Sequence, residues 1–258
     1  MINHPDLIVV NGAEVLAQPD KRDAYWQRIR DGGTTAFAAT TVRAQLPAWF
    51  RRFREDTTLL HVTDPRHVSD AKSEGRMGVI FHGQKPPLEL AEDPDEAWNL
   101  QRLGIRLLQL TYNDHSPFGD GCMEPVDGGL SPIGMRVVEE LNKTGILIDV
   151  SHAGHRTAMD IVSASSEPVV ASHSNADSVC SNPRNLRDEL IIAVACRGGV
   201  IGVTAFPSLV RWQEPTLEQM LDHIDYIAAL VGTEHVGFGL DFCSIPQESW
   251  DSGRFSPS

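Results

Sequence analysis

The sequence contains few cysteines, and none of them are paired at the spacing of a thiolate metal site. Its four cysteines, Cys122, Cys180, Cys196 and Cys243, lie far apart, and no CxxC motif occurs. This arrangement argues against a zinc site built from thiolates and indicates a reducing compartment. The first residues, MINHPDLIVVNG, also lack a basic leader. We therefore expect a cytoplasmic protein.

Positive charge and long apolar runs are also scarce. The formal net charge is -13 at pH 7, whereas a phosphate backbone is bound by clustered Lys and Arg, so nucleic acid is not an expected partner. No run approaches the ~18 apolar residues of a membrane span, so no membrane association is expected. We expect one domain over residues 1–258 that takes a small-molecule ligand, and a homo-oligomer is left open.

Short apolar runs rich in Val and Ile recur along the chain. Most are apolar on consecutive residues, which is typical of strands buried on both faces of a parallel sheet. The eight runs are LIVVNG (7–12), TTAFAATTV (34–42), GVIFHG (78–83), IRLLQLTY (105–112), ILIDVSH (146–152), PVVASHS (168–174), GVIGVTAF (199–206) and HVGFGLDF (235–242).

Helical patterns separate these runs. Between the fourth and fifth runs, Ser131 is placed to cap a helix, Pro132 to begin it and Gly145 to end it. Two helices are expected between the second and third runs. The alternation predicts an α/β fold of the (β/α)8 TIM barrel type, with an open doubly wound sheet as the alternative. Only a short tail follows from about residue 243, so the final helix is expected to be missing.

Polar residues stand where several of the predicted strands end. In a (β/α)8 barrel the functional groups lie at the carboxyl ends of the strands. The fourth run ends in Tyr112, the fifth in His152, the sixth near His173 and the eighth near Asp241, while Arg184 lies in the loop after the sixth. Two imidazoles could share a metal ion, the carboxylate could bind metal or move a proton, and the guanidinium could pair with a carboxylate or an oxyanion.

Other polar residues have simpler interpretations. His61, His67 and His223 fall on helical or linking segments, so we expect them at the surface. Asp149 lies within the fifth predicted strand, where it is expected to form hydrogen bonds inside the barrel.

Several long motifs occur in the order found in one known family. They are GIRLLQLTYND, GLSPIGMRVVEELNKTGILIDVSHAG, PVVASHSNADSVCSNPRN, GGVIGVTAF and HVGFGLDF, which together run from Gly104 to Phe242. This part of the chain resembles the renal (membrane) dipeptidase family. The members are zinc metallopeptidases of the amidohydrolase type that are built on a (β/α)8 barrel.

The resemblance implies a role for four residues. His152, in DVSH, and His173, in SHS, match two histidines that ligate zinc in the family. Arg184, in PRN, matches the arginine that contacts the substrate and the tetrahedral intermediate. Asp241, in GLDF, matches the aspartate with a proton-transfer role.

The sequence also departs from the family pattern. The family's first strand ends in a DGHND-like motif with a His and an Asp ligand, but the corresponding stretch here is NGAEV, which places Ala13 and Val15 at the ligand positions. Gln84 aligns with the family's metal-bridging Glu, with His82 nearby. Tyr112 replaces a substrate-contacting His. These departures imply a divergent member with a reduced metal site.

A reduced ligand set favours one zinc ion over two. Two zinc ions would bring four positive charges into a buried pocket, and an uncompensated buried charge costs several kcal/mol. We predict a single ion held by His152, His173 and Asp241, with a metal-free site as the alternative. Glu14 and His82 are candidates to replace a lost ligand, although strand alternation points Glu14 away from the family's ligand positions.

The predicted activity is that of a dipeptidase-like hydrolase. It would cleave the amide bond of a small carboxylate-bearing substrate, such as a dipeptide, contacted by Arg184, Tyr112 and Gln84, with Asp241 and Arg184 as the catalytic residues. Two alternatives stay open. One is a mononuclear or metal-free enzyme acting on a non-peptide small molecule, and the other is a non-catalytic binding protein on the dipeptidase scaffold.

Overall fold

The strands and helices alternate along the chain. The computed structural model describes residues 7–14 and 23–242. Its strands are β1 (Val10–Glu14), β2 (Ala36–Thr40), β3 (Leu59–His61), β4 (Met77–Gly83), β5 (Ile105–Gln109), β6 (Leu147–Asp149), β7 (Val169–Val170), β8 (Ile201–Val203) and β9 (Val236–Phe238). Its helices are α1 (Asp23–Asp31), α2 (Leu46–Glu55), α3 (Arg66–Ser73), α4 (Glu89–Glu92), α5 (Glu96–Arg102), α6 (Pro132–Thr144), α7 (His155–Ala164), α8 (Asp188–Cys196), α9 (Pro207–Val210) and α10 (Leu217–Val231).

Parallel pairing joins these strands into a nearly closed barrel. The strand order is β7-β6-β5-β4-β2-β1-β9-β8, and every pair in it is parallel. A parallel bridge between Ala171 and Ile201 connects the two ends of this order. The eight strands of the barrel correspond to the eight apolar runs. The predicted (β/α)8-type fold is therefore confirmed.

One strand lies outside the predicted pattern. β3 pairs with the first half of β4, from Met77 to Val79, whereas β5 pairs with its second half, from Phe81 to Gly83. Since β2 occupies the other edge of β4, β3 and β5 share one edge in succession. The connection between β2 and β4 contains the two helices that we predicted, α2 and α3, and the short strand between them.

The core forms between the outer face of the barrel and the surrounding helices. Trp49 of α2 is fully buried, and its ring lies 5.8 Å from that of Phe81 on β4. Farther along the chain, Ser131 caps α6 as predicted by accepting a hydrogen bond from Gly134 N at 2.9 Å. Gly145 ends the same helix with a left-handed φ of 72°, which glycine adopts without the steric cost of a Cβ atom.

Two of the predicted surface histidines are not at the surface. His223 on α10 is fully buried, where Ala176 N donates to its Nδ1 and its Nε2 lies 3.2 Å from the Val210 carbonyl oxygen. His61 lies on β3, partly buried between Phe53 and Phe81. Both are structural residues, because their position depends on packing between segments distant in the sequence.

The predicted tail from residue 243 and the predicted absence of a final helix fall outside the described residues, as does Val15. Within the described part of the chain, no helix combines the length and the apolar character needed to cross a bilayer.

Candidate active site

Two of the predicted site residues have a left-handed backbone conformation. His152 follows β6 with a φ of 69°, and Asp241 follows β9 with a φ of 54°. Residues other than glycine rarely adopt this conformation, although His and Asp tolerate it better than most, and it costs of order 1–3 kcal/mol. Such strain persists where the surrounding structure imposes it, and it is concentrated at functional sites.

The structure brings His152 and His173 into direct contact. Their Nε2 atoms lie 2.9 Å apart, and their rings are tilted by 58°. His173 is fully buried and His152 nearly so. The predicted pairing of these two imidazoles, from neighbouring strands, is therefore seen in the structure.

Hydrogen bonds at the other ring nitrogens fix the tautomers. His152 Nδ1 lies 2.7 Å from Asn113 Oδ1, which can only accept, so this nitrogen carries the proton. His173 Nδ1 lies 2.6 Å from Ser172 Oγ, and that hydroxyl donates its own hydrogen to Asp149 Oδ2 at 2.6 Å. Ser172 therefore accepts from His173. In both neutral rings, the Nε2 lone pair faces the other ring.

In these tautomers the two facing lone pairs repel each other, and a cation between them would relieve the repulsion. A proton is disfavoured, because burial, and to a smaller extent the Arg184 guanidinium, hold the pKa of both histidines well below its usual range. A metal ion bound to both Nε2 atoms suits the donors, since two imidazole ligands of a tetrahedral zinc ion have nitrogens about 3.3 Å apart. The 2.9 Å separation is near this value.

Asp149 anchors the site from behind. This buried carboxylate accepts hydrogen bonds from Gln109 Nε2, Ser151 N, Ser172 N and Ser172 Oγ, at 2.6–2.9 Å. His82 Nε2 lies 3.0 Å from Asp149 Oδ2. Burial alone would raise the pKa of Asp149, but these contacts outweigh it and hold that pKa well below its usual range. The predicted interior hydrogen-bonding role of Asp149 is confirmed. The Ser172 hydroxyl links this carboxylate to His173, because its oxygen hydrogen-bonds to both Asp149 Oδ2 and His173 Nδ1.

Arg184 packs against the backbone of the second histidine. Its Nη1 donates to Ser174 Oγ at 2.7 Å, and its Nη2 donates to the His173 carbonyl oxygen at 2.8 Å. The guanidinium is buried and lines a cavity of about 390 Å³ together with His152 and Cys122. Arg184 therefore lies beside the histidine pair, where it faces an open space.

Asp241 has the electrostatics of a group that can exchange a proton. The residue is half-buried, and its Oδ1 atom has no hydrogen-bond partner among the described residues. Burial raises the pKa of Asp241 to about 7, and the nearby Arg184 opposes the rise while Asp149 adds to it. A carboxyl group with a pKa close to neutral can both accept and donate a proton near pH 7.

Tyr112 covers one face of the first histidine. Its ring stacks on that of His152 with a centroid separation of 4.0 Å and an interplanar angle of 21°. Lys85 Nζ lies 5.1 Å from the centroid of the Tyr112 ring. Gln84 follows β4 and is buried, and its Nε2 finds no hydrogen-bond partner in the described part of the chain.

The two alternative ligands are engaged elsewhere. Glu14 is buried and accepts a hydrogen bond from Asn11 Nδ2 at 2.5 Å. The pairing of β1 with β2 shifts register between Asn11 and Glu14, so the strict alternation used to orient Glu14 does not hold there. His82 contacts Asp149, as described above.

The donor set fits a partial metal site. Within residues 7–14 and 23–242, no group of three His, Cys, Asp or Glu side chains is arranged to hold an ion. The two imidazoles supply two ligands, and Asp241 Oδ1, which has no hydrogen-bond partner among the described residues, does not form a three-ligand group with them. The pattern of polar residues at strand ends did not predict Asn113, although it directly follows Tyr112 in the motif GIRLLQLTYND.

Comparisons with known proteins agree with this fold. The curated relatives include dipeptidase verJ of Clonostachys rogersoniana, 35% identical over 159 residues (61% of this chain and 41% of the relative), and the uncharacterized dipeptidase C965.12 of Schizosaccharomyces pombe, 36% identical over 152 residues (56% and 36%). The alignments therefore span less than half the length of these relatives.

Solved structures with the same fold include an amidohydrolase from Pseudomonas aeruginosa, with a TM-score of 0.88 and 28% identity over 96% of this chain and 78% of that one. A metallopeptidase from Rhodobacter sphaeroides, solved with a phosphinate mimic of the dipeptide L-Ala-D-Ala, shares the fold with a TM-score of 0.78 and 23% identity over 93% and 88%. The family model of the membrane dipeptidases, peptidase family M19, matches residues 21–253. The chain therefore belongs to the membrane dipeptidase family.

Proposed function

We propose that this protein is a metal-dependent hydrolase that cleaves the amide bond of a small carboxylate-bearing substrate, such as a dipeptide. The observation that carries the proposal is the pair of Nε2 lone pairs that face each other across 2.9 Å, with both Nδ1 atoms held by hydrogen bonds. A buried arrangement of this kind is unfavourable without a cation. Membership of the membrane dipeptidase family supports the same activity.

We propose one zinc ion, held by His152 and His173 with Asp241 as a further ligand. When bound, the ion would polarise the substrate carbonyl and lower the pKa of a water molecule toward ~7. Ala13 and Gln84 supply no negative charge at the positions where the family has ligands. A second ion would therefore lack compensation, which favours a mononuclear site.

The chain's own residues orient the substrate and move protons. Arg184 is anchored by Ser174 and the His173 carbonyl, so its remaining N–H groups can bind a substrate carboxylate or a developing oxyanion. Asp241 would accept a proton from the attacking water and pass it to the leaving amine. Tyr112 and Gln84 would contact the substrate at the adjoining rim.

The test combines metal analysis with dipeptide turnover on protein purified without chelator. We expect one zinc ion per chain and dipeptide hydrolysis in the wild type. His173→Ala should lose both, and Asp241→Asn should lower turnover about 100-fold or more, because proton transfer contributes that much to such reactions. His67→Ala on α3 is the matched control and should retain metal and activity. A wild-type protein without bound metal and without turnover would contradict the proposal.

A second candidate function is suggested by Tyr112 and by the missing ligands. The aromatic ring that covers His152 stands where the family has a substrate-contacting histidine, which favours an enzyme that acts on a non-peptide small molecule. Chelation in the same assays separates the two candidates. Turnover of a non-peptide substrate that survives chelation would favour the second, since such turnover cannot depend on a labile metal.

A further inference from the structure

Three glycines surround one carbonyl oxygen inside the barrel: Gly12 on β1, Gly202 on β8 and Gly239 directly after β9. A Cβ atom added to Gly239, Gly202 or Gly12 would lie 1.8, 2.2 or 2.5 Å from the Ser172 carbonyl oxygen. All three distances are well below 3.0 Å, a limit that real Cβ contacts essentially never cross. The Ser172 oxygen therefore fits at this place only because the three positions lack side chains.

The backbone around Ser172 departs from regular strand pairing. Its N–H donates to Asp149 Oδ1, and the His173 N–H donates to Ser151 Oγ, so two side chains of the β6 segment replace backbone partners. The chain returns to backbone pairing at Ser174, whose N–H donates to the Gly202 carbonyl oxygen. Because β9 and β1 are the second and third strands from β7 around the barrel, contacts with Gly239 and Gly12 place this carbonyl within the barrel interior.

We propose that Gly12, Gly202 and Gly239 are positioning residues that set the location of His173. The inference rests on the proposed function, since it concerns the histidine that would bind metal. The Gly239 Cβ would also lie 3.0 Å from the Cα atom of His173 itself. A methyl group at Gly239 fits only if Gly239 and the Ser172–His173 backbone move apart by about an ångström or more, whereas metal–ligand distances tolerate about 0.2 Å.

An alanine at these three positions would act through steric overlap of its Cβ atom and not through backbone strain. The left-handed glycines of the described chain do not include Gly12, Gly202 or Gly239, so alanine can adopt their backbone conformations. Gly237 provides a matched control two residues before Gly239 on the same segment. Its added Cβ would meet only Val200 Cγ1 at 3.5 Å, which is an ordinary contact.

The experiment measures Co²⁺ affinity by absorption spectroscopy for the four single alanine variants of the full chain. We expect Gly239→Ala and Gly202→Ala to bind Co²⁺ about 10–100-fold more weakly than the wild type. Substitutions of residues that orient a metal ligand without binding the metal have effects of this size. Gly12→Ala has the smallest overlap and should lose less affinity. Gly237→Ala should bind as the wild type does.

Two further measurements separate a loss of position from a loss of folding. Near-UV circular dichroism and thermal unfolding in chelator identify the variants that retain the native fold. If Gly202→Ala and Gly239→Ala do not fold, Gly12→Ala is the variant that tests the proposal. Crystal structures of the folded variants give the separation of the His152 and His173 Nε2 atoms, which should exceed the wild-type value. Folded variants with wild-type Co²⁺ affinity and an unchanged Nε2 separation would overturn the proposal. If the wild type itself binds no Co²⁺, the proposed function fails, and the position of His173 in the crystal structures still tests the glycines.

Discussion

At the scale of single residues, the tautomers of His152 and His173 are set by groups that are not ligands themselves. Asn113 Oδ1 accepts from His152 Nδ1, and Ser172 Oγ accepts from His173 Nδ1 while donating to Asp149. Neutral imidazole binds metal through the nitrogen without a proton. These hydrogen bonds therefore determine that both Nε2 atoms are available to an ion.

Asn113 gives a direct test of this arrangement. Asn113→Leu removes the acceptor for His152 Nδ1, so we expect zinc affinity to fall about 10–100-fold. Asn113→Asp keeps an acceptor oxygen at this place and should bind zinc about as tightly as the wild type. Competition titration with a zinc indicator measures both variants. Equal affinity of Asn113→Leu and the wild type would show that the hydrogen bond does not orient the ligand.

At the scale of elements, β3 shows how a strand that the sequence did not predict changes the pKa of a histidine. His61 lies on β3, where its ring stacks on Phe53 with a centroid separation of 5.1 Å and lies 4.3 Å from Phe81. Burial, together with the positive charge of Arg106, lowers the pKa of His61 to about 4. An unfolded chain would take up this proton at a pH close to 6.5, the ordinary value.

This difference predicts a pH dependence of stability. As the pH falls from 6.5 toward 4, the unfolded chain binds a proton that the folded chain does not, so the free energy of unfolding decreases. The contribution of neutral His61 to the free energy of unfolding is fully present above the ordinary pKa of histidine, 6.5, and is lost as the pH falls toward the pKa of about 4 in the folded chain. We expect His61 to account for about 1–3 kcal/mol of the loss, after allowance for its partial exposure.

Urea unfolding of His61→Leu and the wild type at two pH values checks this prediction. The first assay condition, pH 7.5, lies about one unit above the pH range in which His61 takes up its proton, and the second, about pH 4.5, lies within that range. The wild type should lose more stability between the two conditions than the variant does. The comparison at the higher pH is the control, because it measures the effect of the substitution on packing alone. Parallel losses in the two proteins would exclude His61 as a source of acid sensitivity.

At the scale of the whole molecule, barrel closure brings together groups that are far apart in the sequence. Asp241 N donates to the Ala13 carbonyl oxygen, and Leu240 N donates to Asn11 Oδ1, so the last described strand is fixed to the first. An ion held between His152 and His173 would add a further link between neighbouring strands. Such an ion binds the folded chain more tightly than the unfolded chain and therefore stabilises it.

Zinc should accordingly raise the melting temperature of the wild type. A free zinc concentration 100 times the Kd stabilises a folded protein by about 2.7 kcal/mol, which corresponds to a shift of several degrees for a chain of this size. Calorimetry with zinc and with chelator measures the shift. The double variant His152→Ala/His173→Ala should show none, and an equal shift in that variant would place the ion elsewhere.

Much of this architecture could be predicted from the sequence, because it depends on local patterns. The eight barrel strands follow from apolar runs, and α6 follows from Ser131, Pro132 and Gly145. β3 has only three residues and was not distinguished from a link between helices. The burial of His223 was missed for another reason, since its partners, Ala176 and Val210, come from other parts of the chain. The cytoplasmic location, the single domain over residues 1–258 and the oligomeric state stay predictions.

The sequence by itself determined the alternation of strands and helices and the family, and it predicted His152, His173, Arg184 and Asp241 as site residues, since each of these depends on residue type and local spacing. Only the tertiary structure decided that the two Nε2 atoms face each other, that Asn113 and Asp149 support them, and that three glycines enclose the Ser172 carbonyl. The physical reason is that tautomers, burial and close backbone approach depend on distances across the barrel, which a one-dimensional pattern does not contain.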